Sequence, residues 1–261
     1  MNSSLELHKK EERLMKKFIA LLLMLLLALS AAAPALAEKQ TYRSLYSGEV
    51  TTLNYLTTTT TSEFGLLSNL IDTLVESDRY GQLQPCLAES WEASADGLTW
   101  TFRLRHGVQW VDAQGNAVAE VTAHDFVTAA EYILNAQHAS GSAKTLYKII
   151  LGAKEYYDGT ATPKEGEQPA PKTEWDTVGV KALNDYTLQY TLKNPVAYFL
   201  SMVDNQAFMP VYGPFLTEKG EQFGLATGND TLLYCGAYTL TEFKPQETRV
   251  LTKNSAYWDL E

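Results

Sequence analysis

The chain has 261 residues, of which 45% are hydrophobic and 20% charged, and a formal net charge of −10. That is enough apolar material for one large or two small cores. The acidity argues against nucleic-acid partners, whose phosphates need Lys and Arg, and against adhesion to anionic lipid.

Lys16 and Lys17 precede an apolar run, Phe18 to Leu29, and then a small-residue stretch ending Ala35-Leu36-Ala37. This order reads as a secretory signal peptide cut after Ala37. The competing reading, a membrane anchor, needs roughly 20 apolar residues, and the run has 12. Residues 1–14 are unusual ahead of such a signal, so the expected true start is Met15. The expected division is therefore a leader over 1–37 and a mature part over 38–261, exported to the periplasmic space or the cell exterior. Without the leader, 16 basic and 28 acidic residues remain, a net charge of −12. No cysteine follows the apolar run, so no lipid attachment site is seen. Cys86 and Cys235 both fall in the mature part, 149 residues apart. An exported protein permits a disulfide, so a Cys86–Cys235 bridge and two buried free thiols both stand open.

Thr41 to Tyr46 alternates and predicts a first strand. The polar, β-branched stretch from Glu49 through the threonines at 57–61 predicts irregular structure. Phe64, Leu67, Leu70, Ile71 and Leu74 recur at helical spacing after Ser62, a candidate cap. Then Leu98, Trp100, Phe102 and Leu104 alternate with Thr99, Thr101, Arg103 and Arg105, behind the turn pair Asp96-Gly97. This predicts a hairpin burying Trp91, Trp100 and Phe102. A loop is expected over 111–120. Thr122 and Asp125 form an acidic variant of the capping box, starting a helix whose apolar side is Phe126, Ala129, Ala130 and Ile133. A second helix is expected from Ala143 to Tyr157, weakened at Gly152. Residues 158–174, rich in Pro, Gly and charge, read as a surface loop insertion. A hairpin follows, Val178 to Leu183 and Tyr186 to Leu192. A short apolar helix or turn comes next at 196–203 and a short helix at 215–223, then strands over Leu232 to Phe243 and Thr248 to Leu251.

No catalytic constellation is visible. The four histidines have no metal-ligand spacing, and neither a Gly-x-Ser-x-Gly elbow nor a phosphate-cradling loop occurs; no metal, cofactor or catalytic residue is expected. Asp204 with Asn205, and Glu49, are the polar residues singled out for a ligand, each against the alternative of an ordinary loop side chain. The 15 tyrosines and 5 tryptophans tilt the balance towards binding.

Pro85-Cys-Leu-Ala-Glu-Ser-Trp91, Asp96 to Trp110, and Val121-Thr-Ala-His-Asp-Phe-Val127 together resemble the oligopeptide/dipeptide-binding proteins of ABC importers, bacterial family 5. So do Asp185 to Tyr190, Phe208-Met-Pro210, Cys235-Gly-Ala-Tyr238 and Lys253-Asn-Ser-Ala-Tyr-Trp-Asp259, in the family's order. The resemblance implies an α/β, periplasmic-binding-protein-like type II fold, two-lobed but incomplete, with a mixed β-sheet core and peripheral helices. Members are roughly twice this length, so residues 38–261 are expected to be the N-terminal portion, with the second lobe largely missing. The implied function is capture of a short peptide outside the cytoplasm and delivery to the transmembrane permease subunits, with no enzymatic step. The implied ligand contacts are Glu49 and Thr51, on the segment that follows the first strand. Alternatives are the same scaffold carrying nickel, haem or an oligosaccharide, a truncated fragment that binds nothing, and an exported hydrolase. Ala237 stands where the family usually has proline.

Overall fold

The computed structural model describes residues 13–19, 24, 40–46 and 48–260. It divides into two units, 1–46 and 47–261. In the first, residues 13–19 and 24 are helical, and no helix among the described residues is long and apolar enough to cross a membrane. The signal-peptide reading falls mostly outside the described residues: most of the apolar run and the whole Ala35–Ala37 site lie there. Residues 41–46, expected to be a first strand, form no strand and are exposed.

The second unit is built on a four-stranded sheet. Strands β3 (Ala88–Ala93), β4 (Thr99–Leu104), β7 (Val180–Asn184) and β8 (Thr187–Thr191) lie in the order β3-β4-β8-β7. Both predicted hairpins are thus present, joined where Trp100 pairs with Tyr190 and Phe102 with Leu188. The alternation works as read on one side of β4, since Phe102 and Leu104 are buried. Trp91 and Trp100, however, are only half-buried, and the fully buried tryptophan is Trp110. Tyr190 packs edge-on against Phe102, Phe199 and Phe208, with ring centroids 5.6–6.0 Å apart. Each such ring buried is worth about 1.5–3 kcal/mol. Every named strand pair is antiparallel, so α and β are mixed here by element rather than by strand direction.

The helices flank this sheet. Helix α1 (Thr61–Leu67) ends well before the predicted Leu74, and its N-cap is Thr60 rather than Ser62. Leu70, Ile71 and Leu74 are buried as expected, but the carbonyls of Asn69 and Leu70 accept from Tyr238, Cys235 and Gly236 instead of continuing the helix. Gly236 is required at this approach, because a Cβ there would stand 2.7 Å from the Leu70 carbonyl carbon. Strands β1 (Val75–Ser77) and β2 (Leu83–Pro85) pair next. The expected loop at 111–120 is a hairpin, β5 (Gln109–Val111) with β6 (Ala117–Glu120), around Asp112, whose carboxylate accepts from Gln114 and Asn116.

Helix α2 (Ala123–Leu134) begins as read: the Thr122 N–H donates to Asp125 Oδ2 at 2.9 Å, and Phe126, Ala129, Ala130 and Ile133 are buried. It packs on β7 and β8. The second predicted helix is two, α3 (Ala143–Tyr147) and α4 (Ala153–Thr160), broken over residues 148–152, where the Leu151 N–H donates to the Thr191 carbonyl and Gly152 caps α4. Gly152 has φ +71, and a Cβ would lie 2.6 Å from the Thr177 carbonyl oxygen. Residues 161–174 are irregular and almost wholly exposed. Short helices α5 (Phe199–Met202) and α6 (Gly213–Lys219) follow. The last pair is β9 (Tyr238–Lys244) with β10 (Thr248–Lys253). Leu232 to Ala237 lie outside it: Tyr234 instead exchanges both main-chain bonds with Val111, at 2.8 and 2.9 Å.

Candidate functional site

Three polar assemblies stand out, and two of them hold the segment between Gly48 and α1. The first centres on Glu49. Its Oε1 accepts from Arg249 Nη2 at 2.7 Å and from the Val50 N–H at 3.0 Å, while Oε2 accepts from the Gln246 N–H at 2.9 Å. The bond from Arg249 is the main reason the carboxyl lies below the usual range. Glu49 therefore ties the start of this unit to the β9–β10 turn.

The second centres on Glu63, in the first turn of α1 and only 1% exposed. Oε1 accepts from the Thr51 N–H at 2.9 Å, the Thr51 hydroxyl at 2.8 Å and the Thr52 N–H at 3.1 Å. Oε2 accepts from the Thr58 hydroxyl. Burial pushes this carboxyl up, but the bonds from Thr58, Thr51 and Thr52 outweigh it and leave the group below its ordinary range. The threonine run is consequently fixed. Thr57 and Thr58 donate to the Asn54 carbonyl, Gly141 donates to the Thr57 carbonyl, and the Thr60 N–H reaches the Thr58 hydroxyl at 3.1 Å. Thr59 and Thr60 are exposed. Among the described residues, neither the N–H nor the carbonyl of Thr59 has a hydrogen-bond partner.

The third is a cavity of about 110 Å³ lined by residues that include Asp72, Glu76, Cys86 and Asp204. Asp72 Oδ2 accepts from Trp258 Nε1 at 2.9 Å, and Arg105 lies over the Trp258 ring at 4.0 Å. Burial raises Asp72, and Trp258, Cys86 and Tyr257 partly offset it. Glu76 is raised first by burial and then by its acidic neighbours Asp72, Asp259 and Asp204.

The residues singled out from sequence thus separate. The side chains of Glu49 and Thr51 bond within the protein, to different partners. Asp204 enters the acidic cavity and accepts from the Ser77 hydroxyl at 2.7 Å. Asn205 caps the turn at Gln206–Phe208, its Oδ1 accepting from the Ala207 N–H at 3.1 Å. Cys86 and Cys235 are free, buried thiols, so the bridge left open by the sequence is not formed. Burial raises both well above the usual thiol range. The sequence reading passed over Glu63 and Asp72. Glu63, two residues after a run of five threonines, carried the only hint: a lone acid amid hydroxyl donors.

A family model for the bacterial extracellular solute-binding proteins, family 5, matches residues 82–261. The chain belongs to this family. Its curated relatives include the oligopeptide-binding protein AmiA of Streptococcus pneumoniae, 37% identical over 84% of this chain and 31% of that protein. The periplasmic oligopeptide-binding protein OppA of Escherichia coli is 33% identical over 92% of this chain and 41% of its own length. Among solved structures, the substrate-binding domain of an oligopeptide ABC transporter from Bacillus anthracis superposes with a TM-score of 0.73 at 32% identity. That match covers 85% of this chain and 39% of that one. The family-5 chain therefore spans about a third to two-fifths of the length of these relatives. The motifs that carried the resemblance also hold the fold: Asp125 of Val121-Thr-Ala-His-Asp binds Trp110 Nε1 at 3.1 Å, and Trp258 of the Asn254 motif binds Asp72.

Proposed function

We propose that this chain is the ligand-capturing component of a peptide importer. It works outside the cytoplasm, takes up short peptides and presents them to the permease subunits in the membrane. The supporting observation is its membership of a family whose relatives at 33–37% identity are oligopeptide-binding proteins. The OppA of Haemophilus influenzae, 30% identical with a TM-score of 0.67, is described in complex with the peptide RPPGFSPFR. Residues 1–37 are the export signal in this reading, and the chain supplies one wall of a cleft whose other wall lies on a second lobe. Capture then proceeds by closure of the lobes.

An extended peptide brings unsatisfied N–H and C=O groups, which are costly to desolvate without partners. The main chain of Thr59 offers one free donor and one free acceptor on a single exposed residue, the pair that opposed residues exchange between antiparallel strands. We place main-chain recognition there. Glu49 and Thr51 act beneath it, holding the segment, and Asp204 and Asn205 stand apart from it.

Calorimetric titration with di- to pentapeptides, and separately with nickel, haem and oligosaccharides, tests the assignment. Heat with peptides and none with the other solutes is expected. Heat only with one of the other solutes would sink it.

A further inference from the structure

We propose that Glu63 is a positioning residue for ligand capture: it sets the main chain of Thr59 without touching the ligand. The inference rests on the peptide-binding reading above and goes beyond it. At 1% exposure the Glu63 carboxylate cannot meet a solute. It accepts four hydrogen bonds from two separate pieces of chain, Thr51–Thr52 and Thr58. A buried carboxylate is retained at the cost of desolvation, here in the first turn of α1, where the helix N-terminus favours an acid. What the charge does is local. It holds the Thr58 hydroxyl as a donor, so that the same oxygen is turned to accept from the Thr60 N–H at 3.1 Å. Thr59 lies between those two fixed points. Its side chain packs towards Gly141, where a Cβ would stand 2.6 Å from Thr59 Cγ2. The residue is thereby pinned on one side while its main-chain donor and acceptor remain open on the other. A pre-set main chain spares the ordering cost that a loose loop would incur on binding.

The carboxylate matters more than its shape. In Glu63→Gln the amide oxygen can still serve Thr51 and Thr52. The amide NH₂ then faces the Thr58 hydroxyl, whose proton loses its acceptor. Thr58→Val removes the same link from the other end, and Thr58→Ser restores the hydroxyl.

The test is amide hydrogen exchange by NMR, with trialanine as the probe, alongside calorimetry and thermal unfolding. In the unmodified chain trialanine slows exchange of the Thr59 amide. Glu63→Gln and Thr58→Val lose that protection and bind roughly ten-fold more weakly, the scale of one well-made hydrogen bond, while unfolding stays cooperative. Thr58→Ser regains it. Should Glu63→Gln fail to fold, Thr58→Val and Thr58→Ser decide. Wild-type protection and affinity in Glu63→Gln or Thr58→Val would overturn the inference. Trialanine binding that leaves the Thr59 amide unprotected would overturn it too, while the peptide reading stands. No heat and no protected amide anywhere would overturn the inference, and heat with nickel, haem or an oligosaccharide instead would remove the peptide reading as well.

Discussion

Arg249 Nη2 donates to Glu49 Oε1 at 2.7 Å across 200 residues of sequence, and the same nitrogen reaches the Gly48 carbonyl at 3.4 Å. The Arg249 side chain is 10% exposed and that of Glu49 30%, so the pair is screened less than the surface pairs around it. Lys172–Glu174, by contrast, is 81% and 70% exposed. Arg249→Met and Glu49→Gln should each lower the melting temperature, and the double variant should lose clearly less than the two losses added. Additive losses in that double-mutant cycle would show that the pair is not coupled. Because the Glu49 carboxyl is held below its unfolded value, its contribution is present above about pH 4.5 and fades as pH falls through the folded value.

Asp125 behaves in the opposite sense. Burial pushes its carboxyl up to about 6, against the bonds from Thr122 and Trp110. A raised folded value means that the protonated form is favoured in the native state. Its contribution is therefore full below the unfolded value near 3.8 and is lost as pH rises through about 6. Relative to Asp125→Asn, the unmodified chain should lose on the order of 3 kcal/mol of stability between these limits. Denaturant melts at pH 3.5, 5 and 7 measure it, and a pH-independent difference would contradict the assignment.

Gly152 separates α3 from α4 at φ +71 beside the Thr177 carbonyl. Gly152→Ala meets both the left-handed backbone cost and a contact that must be relieved by moving main chain. The expected loss is about 2 kcal/mol or more, read as a shifted urea midpoint with an unchanged slope. A stabilised Gly152→Ala variant would mean that α3 and α4 run together, as their apolar spacing alone suggests.

Trp258→Phe removes the donor to Asp72 Oδ2 and reshapes the ring under Arg105. A half-buried carboxylate losing one partner should cost about 1–3 kcal/mol. The loss should be smaller in an Asp72→Asn background, where no charge is left underserved. Equal losses in both backgrounds would assign the effect to packing alone.

Cys86 and Cys235 should resist thiol reagents in the native chain and take two labels in denaturant without reductant, as free buried thiols do. Zero labels would indicate a bridge.

Local order was legible in the sequence wherever it depends on neighbours along the chain. The period-two pattern of Leu98 to Leu104 and the turn at Asp96-Gly97 specified a hairpin. Thr122 and Asp125 specified a helix start, because both partners of a capping box lie within one turn. The order of short motifs from Pro85 to Asp259 pointed to the family. Tertiary structure decided what depends on partners far away. Apolar spacing from Phe64 to Leu74 is satisfied equally by a helix or by a bent segment with the same residues buried, and the donors of Cys235, Gly236 and Tyr238 chose the second. Likewise a carboxylate's role follows from which donors arrive at it. Glu49, a candidate ligand contact from sequence, proved to be the partner of Arg249, which only the fold brings to it. Glu63 looked like nothing until Thr51, Thr52 and Thr58 converged on its two oxygens.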